Sequence, residues 1–322
     1  SFSSQCQLRC SYCNPETSSS IAQEVEKFGA YPDSQTQMSR ADRLRKGALP
    51  WNEEFPDQPN PYIESFWRWL PSVYDGLRVF RITGGEPFLS EDTFKFIEYV
   101  RNNPNSQMDI QFNSNLSFPE KVFERFMSVF KSVPKSHYKK VVLYASLDSW
   151  GDRAEYIRHG LRLPVMMDNI DKLLTEFPNL ELRFTSTISI LACHGLQEML
   201  LQIANLKKKW GKNRVLISIY PLVFPSFQSI RIAKSEVDQP LQEALEYARK
   251  ENQLFDAREV MMLEALSNLK PFDSAKSNQL TTDFYLFFKE YDRRKKTRFL
   301  STFPEFSKLW SKAQELAQSQ RT

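Results

Sequence analysis

The chain has 322 residues, of which 41% are hydrophobic and 25% are charged, and its formal net charge is only +4. This composition is typical of a globular protein with one large domain or two moderate ones. Four cysteines in a chain of this length exclude a disulfide-stapled mini-protein, and the weak charge gives no reason to expect nucleic acid as a partner.

No apolar run is long enough to span a bilayer and no signal peptide is visible, so we expect no membrane partner. Unpaired thiols favour a reducing, cytoplasmic location. The chain opens at Ser1 without an initiator methionine, and we therefore expect that a preceding segment is missing.

Six short apolar runs, mostly β-branched or aromatic, predict β-strands. They lie at about 1–5, 77–83, 107–113, 139–147, 180–190 and 213–221. Segments with helical periodicity separate them, and this alternation predicts an α/β fold with a parallel sheet. In α/β folds with parallel strands, active sites lie at the carboxyl ends of the strands.

Three cysteines follow the first predicted strand, and Cys6, Cys10 and Cys13 form the pattern C-x3-C-x2-C. Thiolates hold iron–sulfur clusters, and a [4Fe–4S] cube held by three of them keeps one iron without a protein ligand. A structural zinc site is the alternative, but it usually needs a fourth ligand at similar spacing. The only other cysteine is Cys193.

The second predicted strand ends in Thr83-Gly84-Gly85-Glu86-Pro87, in a chain that holds only nine glycines. Glycine lets the backbone approach a ligand or take a positive φ. Glu86 offers an acceptor to an ammonium group, and Pro87 stiffens the exit. The alternative is a strand-to-helix turn with a solvated Glu86.

Together and in this order, the two motifs resemble the cluster loop and the Gly-Gly-Glu-Pro motif of the radical S-adenosylmethionine (radical SAM) superfamily. The resemblance implies that Cys6, Cys10 and Cys13 bind a [4Fe–4S] cluster whose open iron is chelated by S-adenosylmethionine (SAM). It implies reductive cleavage of SAM to a 5′-deoxyadenosyl radical, which abstracts a hydrogen atom from the substrate. It also implies a partial, TIM-like (β/α)6 barrel and an external electron donor, flavodoxin or ferredoxin.

The same resemblance implies a set of contacts to SAM. Tyr12 would lie against the adenine, while Gly84, Gly85, Glu86 and Pro87 would hold the methionine moiety.

Polar clusters end the third and fourth predicted strands. Ser114 and Asn115 resemble the first two positions of the family's Thr-Asn-Gly segment, although Leu116 departs from its glycine. Ser146 and Asp148 resemble its Ser-x-Asp element, in which the serine contacts SAM. Helix N-capping is the alternative role for all four polar residues.

Two further residues are candidates for the site, and each also has a purely structural alternative. Arg158 resembles the arginine of the family's Tyr-x-x-Arg region, which meets the cofactor carboxylate; the alternative is a solvated helix face. Cys193 follows the fifth predicted strand, and a thiol near the active face could return a hydrogen atom to a substrate radical. The favoured alternative for Cys193 is that of a buried packing residue.

We divide the chain into a barrel at 1–222 and a mostly helical extension at 223–322, with a small hairpin strand at 230–232. Tyr291-Asp292-Arg293-Arg294 followed by Phe303-Pro304-Glu305 resembles the tail of radical SAM proteins that have a twitch domain, a shortened auxiliary-cluster domain. The extension contains no cysteine, so its own residues cannot hold an auxiliary cluster.

The sequence thus predicts a radical SAM enzyme that acts on a peptide or a small metabolite. Two alternatives stay open: a nucleoside- or tRNA-modifying radical SAM enzyme, and an iron–sulfur protein that binds or regulates without catalysis.

Overall fold

A computed structural model of the chain describes residues 1–36, 40–45, 47 and 58–319. Its centre is a sheet of five parallel strands in the order β2 (Val79–Ile82), β3 (Asp109–Ser114), β4 (Lys140–Ser146), β6 (Leu180–Ile188) and β7 (Val215–Pro221). A separate ribbon pairs β1 (Arg9–Cys10) antiparallel with β5 (Arg158–His159). The α/β class and the five later strand predictions are confirmed.

The helices of the described residues are α1 (Ser19–Phe28), α2 (Arg40–Arg45), α3 (Pro61–Val73), α4 (Glu91–Asn102), α5 (Glu120–Lys131), α6 (Gly151–Ile157), α7 (Leu163–Glu176), α8 (Leu196–Trp210), α9 (Asp238–Lys250), α10 (Ala257–Ser267), α11 (Ser274–Lys295), α12 (Phe299–Thr302) and α13 (Ser307–Ser319). None of them combines the length and the apolar composition that a bilayer span requires.

The five strands follow one another in chain order without a reversal. Right-handed connections between parallel strands in this order place the helices on one face of the sheet. That face is apolar: Phe80 of β2 stacks on Phe96 of α4 with ring centroids 3.9 Å apart, and Phe112 of β3 packs against Phe126 and Phe130 of α5. The connecting helices leave the opposite face of the sheet uncovered.

Two strand predictions are wrong. Residues 1–5 form no strand, because their backbone groups bond to loops: the Glu86 N–H donates to the Gln5 carbonyl at 2.6 Å and the Ser19 N–H to the Ser4 carbonyl at 2.8 Å. Residues Ile230–Ile232 form a 3₁₀ turn rather than a hairpin strand. At the start of that turn, the Ser229 hydroxyl accepts from the Arg231 N–H.

The C-terminal helices pack against the sheet and share one hydrophobic core with it. A buried ion pair fixes this contact. Lys207 of α8 donates to both carboxylate oxygens of Glu259 in α10, at 2.7 and 2.6 Å, and Glu259 also accepts from the Ile217 N–H of β7 at 2.9 Å. Both side chains are at most 4% exposed. The Glu259 carboxylate therefore links α10 of the extension to strand β7 and to helix α8.

We expect Lys207→Met to destabilise the fold by about 3–5 kcal/mol, because it leaves the Glu259 charge buried without its cation. Lys209→Met is the matched control on the same helix, since the Lys209–Asp171 pair is 54% and 43% exposed, and it should change stability by at most about 1 kcal/mol. Urea unfolding measures both. Equal effects of the two substitutions would contradict the role given to the buried pair.

Candidate functional site

A cavity of about 250 Å³ lies between the cysteine segment and the carboxyl ends of the strands. All three motif cysteines line it, together with six of the predicted cofactor contacts: Tyr12, Gly85, Ser114, Asn115, Ser146 and Arg158. The predicted site residues Gly84, Glu86, Pro87 and Cys193 are not among its lining residues. Asn113 and Thr187 also line the cavity and were missed as candidates. Their position near the ends of predicted strands could have identified them.

The cysteine segment is held by the start of α1. The Cys6 N–H donates to the Ser19 hydroxyl at 3.2 Å, and the Ser20 hydroxyl donates to the Cys6 carbonyl at 2.5 Å. Within the segment, the Cys13 N–H donates to the Cys10 carbonyl at 3.1 Å and closes a tight turn. The serines that open the helix therefore position the first thiol.

Burial raises the pKa of two thiols of this segment, those of Cys6 and Cys10. It raises the pKa of Cys6 to about 11, and it raises the pKa of Cys10 further, against the opposing effect of the nearby Arg158 guanidinium. Both thiols are therefore protonated near neutral pH, and a metal would have to displace those protons. Among the described residues, no group of three or more Cys, His, Asp or Glu side chains converges to hold a single metal ion.

The glycine pair explains how the cysteine segment reaches the sheet. Gly84 and Gly85 have φ of +91° and +52°, which favours glycine. A Cβ on Gly85 would stand 2.2 Å from the Gln5 carbonyl oxygen. The pair thus permits the residues before Cys6 to pack directly on the end of β2.

Glu86 lies behind the wall of the cavity and is 1% exposed. Its carboxylate accepts from the Ser114 hydroxyl and from the Asn115 N–H, each at 2.8 Å. Burial raises the pKa of Glu86 to about 7, although these hydrogen bonds favour the charged form. The alternative of a solvated Glu86 is wrong. The carboxylate instead orients two residues of the cavity wall, and the buried Pro87 opens the 3₁₀ turn that follows.

Asp148, which the sequence analysis named only as part of the Ser-x-Asp element, joins three parts of the site. It is fully buried and accepts from Arg158 Nε at 2.8 Å and Nη2 at 3.1 Å. It also accepts from the Tyr12 hydroxyl at 2.6 Å and from the Thr187 N–H at 2.8 Å. The alternative of a solvated Arg158 is therefore wrong.

Helix capping does not describe the strand-end residues Ser114, Asn115, Ser146 and Asp148. The helices that follow begin at Glu120 and Gly151, after Pro119 and Trp150. Asn115 instead exchanges amide hydrogen bonds with Gln7, the shorter at 2.9 Å.

Cys193 is buried and does not line the cavity. It is 1% exposed in the 3₁₀ turn Ile190–Gly195, its Sγ donates to the Ser189 carbonyl at 3.4 Å, and burial raises its pKa. Cys193 belongs to the main hydrophobic core, as the packing alternative predicts. Cys193 thus follows the carboxyl end of β6, as expected, but it does not line the cavity, and the role of hydrogen donor stays a prediction.

No family model and no curated protein matches this chain. Functional inference for it therefore rests on the residues around the cavity.

We expect Gly85→Ala to destabilise the protein more than Gly151→Ala. Both glycines have positive φ, at +52° and +60°, but a Cβ on Gly151 meets nothing within 4 Å. The control should cost about 1–2 kcal/mol for the left-handed backbone alone, and the collision with Gln5 should add about 1–3 kcal/mol at Gly85. Urea unfolding compares the two, and equal losses would show that the segment before Cys6 does not depend on the glycine.

Proposed function

We propose that this chain is a radical SAM enzyme, with a [4Fe–4S] cluster on Cys6, Cys10 and Cys13. One observation supports the proposal above all others: the three cysteines of the C-x3-C-x2-C pattern line one cavity with residues from the ends of three parallel strands. Chemistry in folds of this kind is found at that edge of the sheet.

The strand order supports a partial barrel as the architecture. Five parallel strands wind in one direction, and residues 1–5 lie against the end of β2 where a first strand was expected. In this proposal the N-terminal segment takes the place of that strand, and it delivers the cysteines to the open end.

The donor set fits a cluster better than a single zinc ion. Structural zinc needs four ligands that converge on one atom, whereas each thiolate of a cubane binds its own iron. When bound, the cluster and SAM would supply reductive cleavage of the sulfonium and abstraction of a hydrogen atom from the substrate. Cys6, Cys10 and Cys13 would provide the thiolates.

The surroundings of Arg158 suggest a change in its predicted role. Two of its nitrogens donate to Asp148, and Nη1 lies 3.8 Å from Cys10 Sγ. A buried guanidinium beside a thiol favours the thiolate form. We infer that Arg158 stabilises the ligand Cys10, rather than meeting the SAM carboxylate.

The remaining cavity residues would bind SAM. Gly85 presents bare backbone, while Ser114, Asn115 and Ser146 present hydroxyl and amide groups. Glu86 would act on SAM through the two residues that it orients. Tyr12 would offer its ring to the adenine while its hydroxyl is held by Asp148.

A peptide or small metabolite as substrate, and flavodoxin or ferredoxin as electron donor, complete the proposal.

We expect anaerobic reconstitution to give about four irons and four sulfides per chain, as thiolate-bound cubanes contain. Cys6→Ala, Cys10→Ala and Cys13→Ala should each lose the cluster, whereas Cys193→Ala, the matched control at the fourth cysteine, should keep it. Iron and sulfide analysis with visible absorption measures this.

The reduced, reconstituted protein should also form 5′-deoxyadenosine from SAM, which separates an enzyme from a non-catalytic cluster protein. Binding of one zinc ion per chain and no iron would contradict the cluster assignment. So would a loss of iron in Cys193→Ala as large as that in the three motif variants.

A further inference from the structure

The sheet face opposite the helices carries mostly polar side chains, which is unusual for a parallel sheet. Parallel strands are normally covered on both faces and read as continuous apolar runs. In β6, buried apolar residues such as Leu182 and Phe184 alternate with Glu181, Arg183 and Thr185. A polar face of this kind suits a polar ligand better than a packed core.

Two arginines meet over one ring on this face. The Arg81 guanidinium carbon lies 3.9 Å from the centre of the Tyr144 ring, and that of Arg183 lies 5.7 Å from it. Tyr144 pairs in register with Arg183 on β6 and with Asn113 on β3. Arg81 Nε donates to Asn113 Oδ1 at 2.7 Å. Strands β2, β3, β4 and β6 thus contribute to one cluster.

Carboxylates neutralise this cluster only in part. Glu181 is shared between Arg183 at 2.7 Å and Lys140 at 3.1 Å. Asp109 lies on the same face at the start of β3, and its Oδ1 is buried without a hydrogen-bond partner. Within the described part of the chain, Arg81 has no carboxylate partner. Two guanidinium groups around one ring repel each other, and an anion between them would relieve that repulsion.

Unused hydrogen-bonding capacity marks the same place. Arg183 Nε and Thr185 Oγ1 are buried, and neither has a hydrogen-bond partner among the residues that the structure describes. Buried polar atoms normally have one. Thr185 pairs in register with Ser146 and Ser218, so hydroxyl groups stand next to the arginines. Guanidinium and hydroxyl donors together are suited to carboxylate or phosphate oxygens.

The cluster is continuous with the cysteine cavity. Asn113, which accepts from Arg81, lines that cavity, and so do Ser146 and Thr187. Ser146 and Thr187 lie two residues beyond Tyr144 and Thr185 along their strands. A molecule held by the arginines would therefore extend along the sheet face towards the three thiols.

We propose that Arg81 and Arg183 bind an oxyanion of the substrate, a carboxylate or a phosphate, on the polar face of the sheet. That the bound molecule is a substrate rests on the proposed function. The anion site itself rests on the arginine cluster alone.

Titration calorimetry tests the site with two probes, inorganic phosphate and glutarate, on the reconstituted protein and on the iron-free protein. At least one probe should bind. Arg81→Gln should weaken that binding about tenfold or more, as expected for the loss of a charge-assisted hydrogen bond. Arg101→Gln is the matched control, because Arg101 is exposed on α4. This variant should bind the probe as tightly as the unsubstituted protein does. Arg183→Gln, which leaves Glu181 paired with Lys140, is a second variant with the same expected loss.

The preferred probe identifies the source of the anion, since phosphate and carboxylate are titrated separately. Absence of binding by both probes, or unchanged binding in both Arg81→Gln and Arg183→Gln, would overturn the proposal. Anion binding without iron incorporation would leave the site standing and defeat the proposed function. Iron incorporation without anion binding would overturn the anion site and leave the proposed function standing.

Discussion

The buried ion pair between Asp148 and Arg158 is the contact on which the site depends. Asp148 follows β4 and Arg158 opens β5, which pairs with the cysteine segment: Cys10 stands opposite Arg158, and the Ser11 N–H donates to the Ile157 carbonyl at 2.8 Å. The same carboxylate binds the Tyr12 hydroxyl. A carboxylate with no exposed surface requires this many donors, because an unpaired buried charge costs several kcal/mol. The pair therefore fixes the cysteine turn on the strand ends.

The C-terminal extension supports the same segment from its other side. Ser11 donates to Gln228 at 2.9 Å, and Gln228 returns a hydrogen bond to the Ser11 carbonyl at 2.8 Å. The Tyr291 hydroxyl of α11 donates to the Tyr156 carbonyl at 2.7 Å, and Lys295 forms a buried pair with Glu24 of α1. An extension without cysteines thus helps to hold the loop that bears Cys6, Cys10 and Cys13.

The sequence predicted the strands well where an apolar run also had a neighbouring strand to pair with, as at 139–147 and 180–190. It failed at residues 1–5, because the backbone of that run is bonded to the loop after β2, and such long-range partners leave no local pattern. The glycine pair and the three cysteines were recognisable from spacing. The burial of Arg158 was not, since its partners Asp148 and Tyr12 are brought together only by the fold. The polar sheet face was visible as alternation in 180–188, but only the register aligns Tyr144 with Arg183.

Hydrogen exchange of residues 6–13 in Asp148→Asn tests most directly whether Asp148 holds the cysteine segment. The substitution keeps the shape of the side chain but removes the charge opposite buried Arg158. We expect exchange in this segment to become about tenfold faster or more, as a loss of at least about 1.4 kcal/mol of local stability implies. Asp168→Asn is the matched control, because the Asp168–Lys172 pair is exposed, and it should leave the segment unchanged. Exchange of residues 6–13 at the unsubstituted rate in Asp148→Asn would contradict the account.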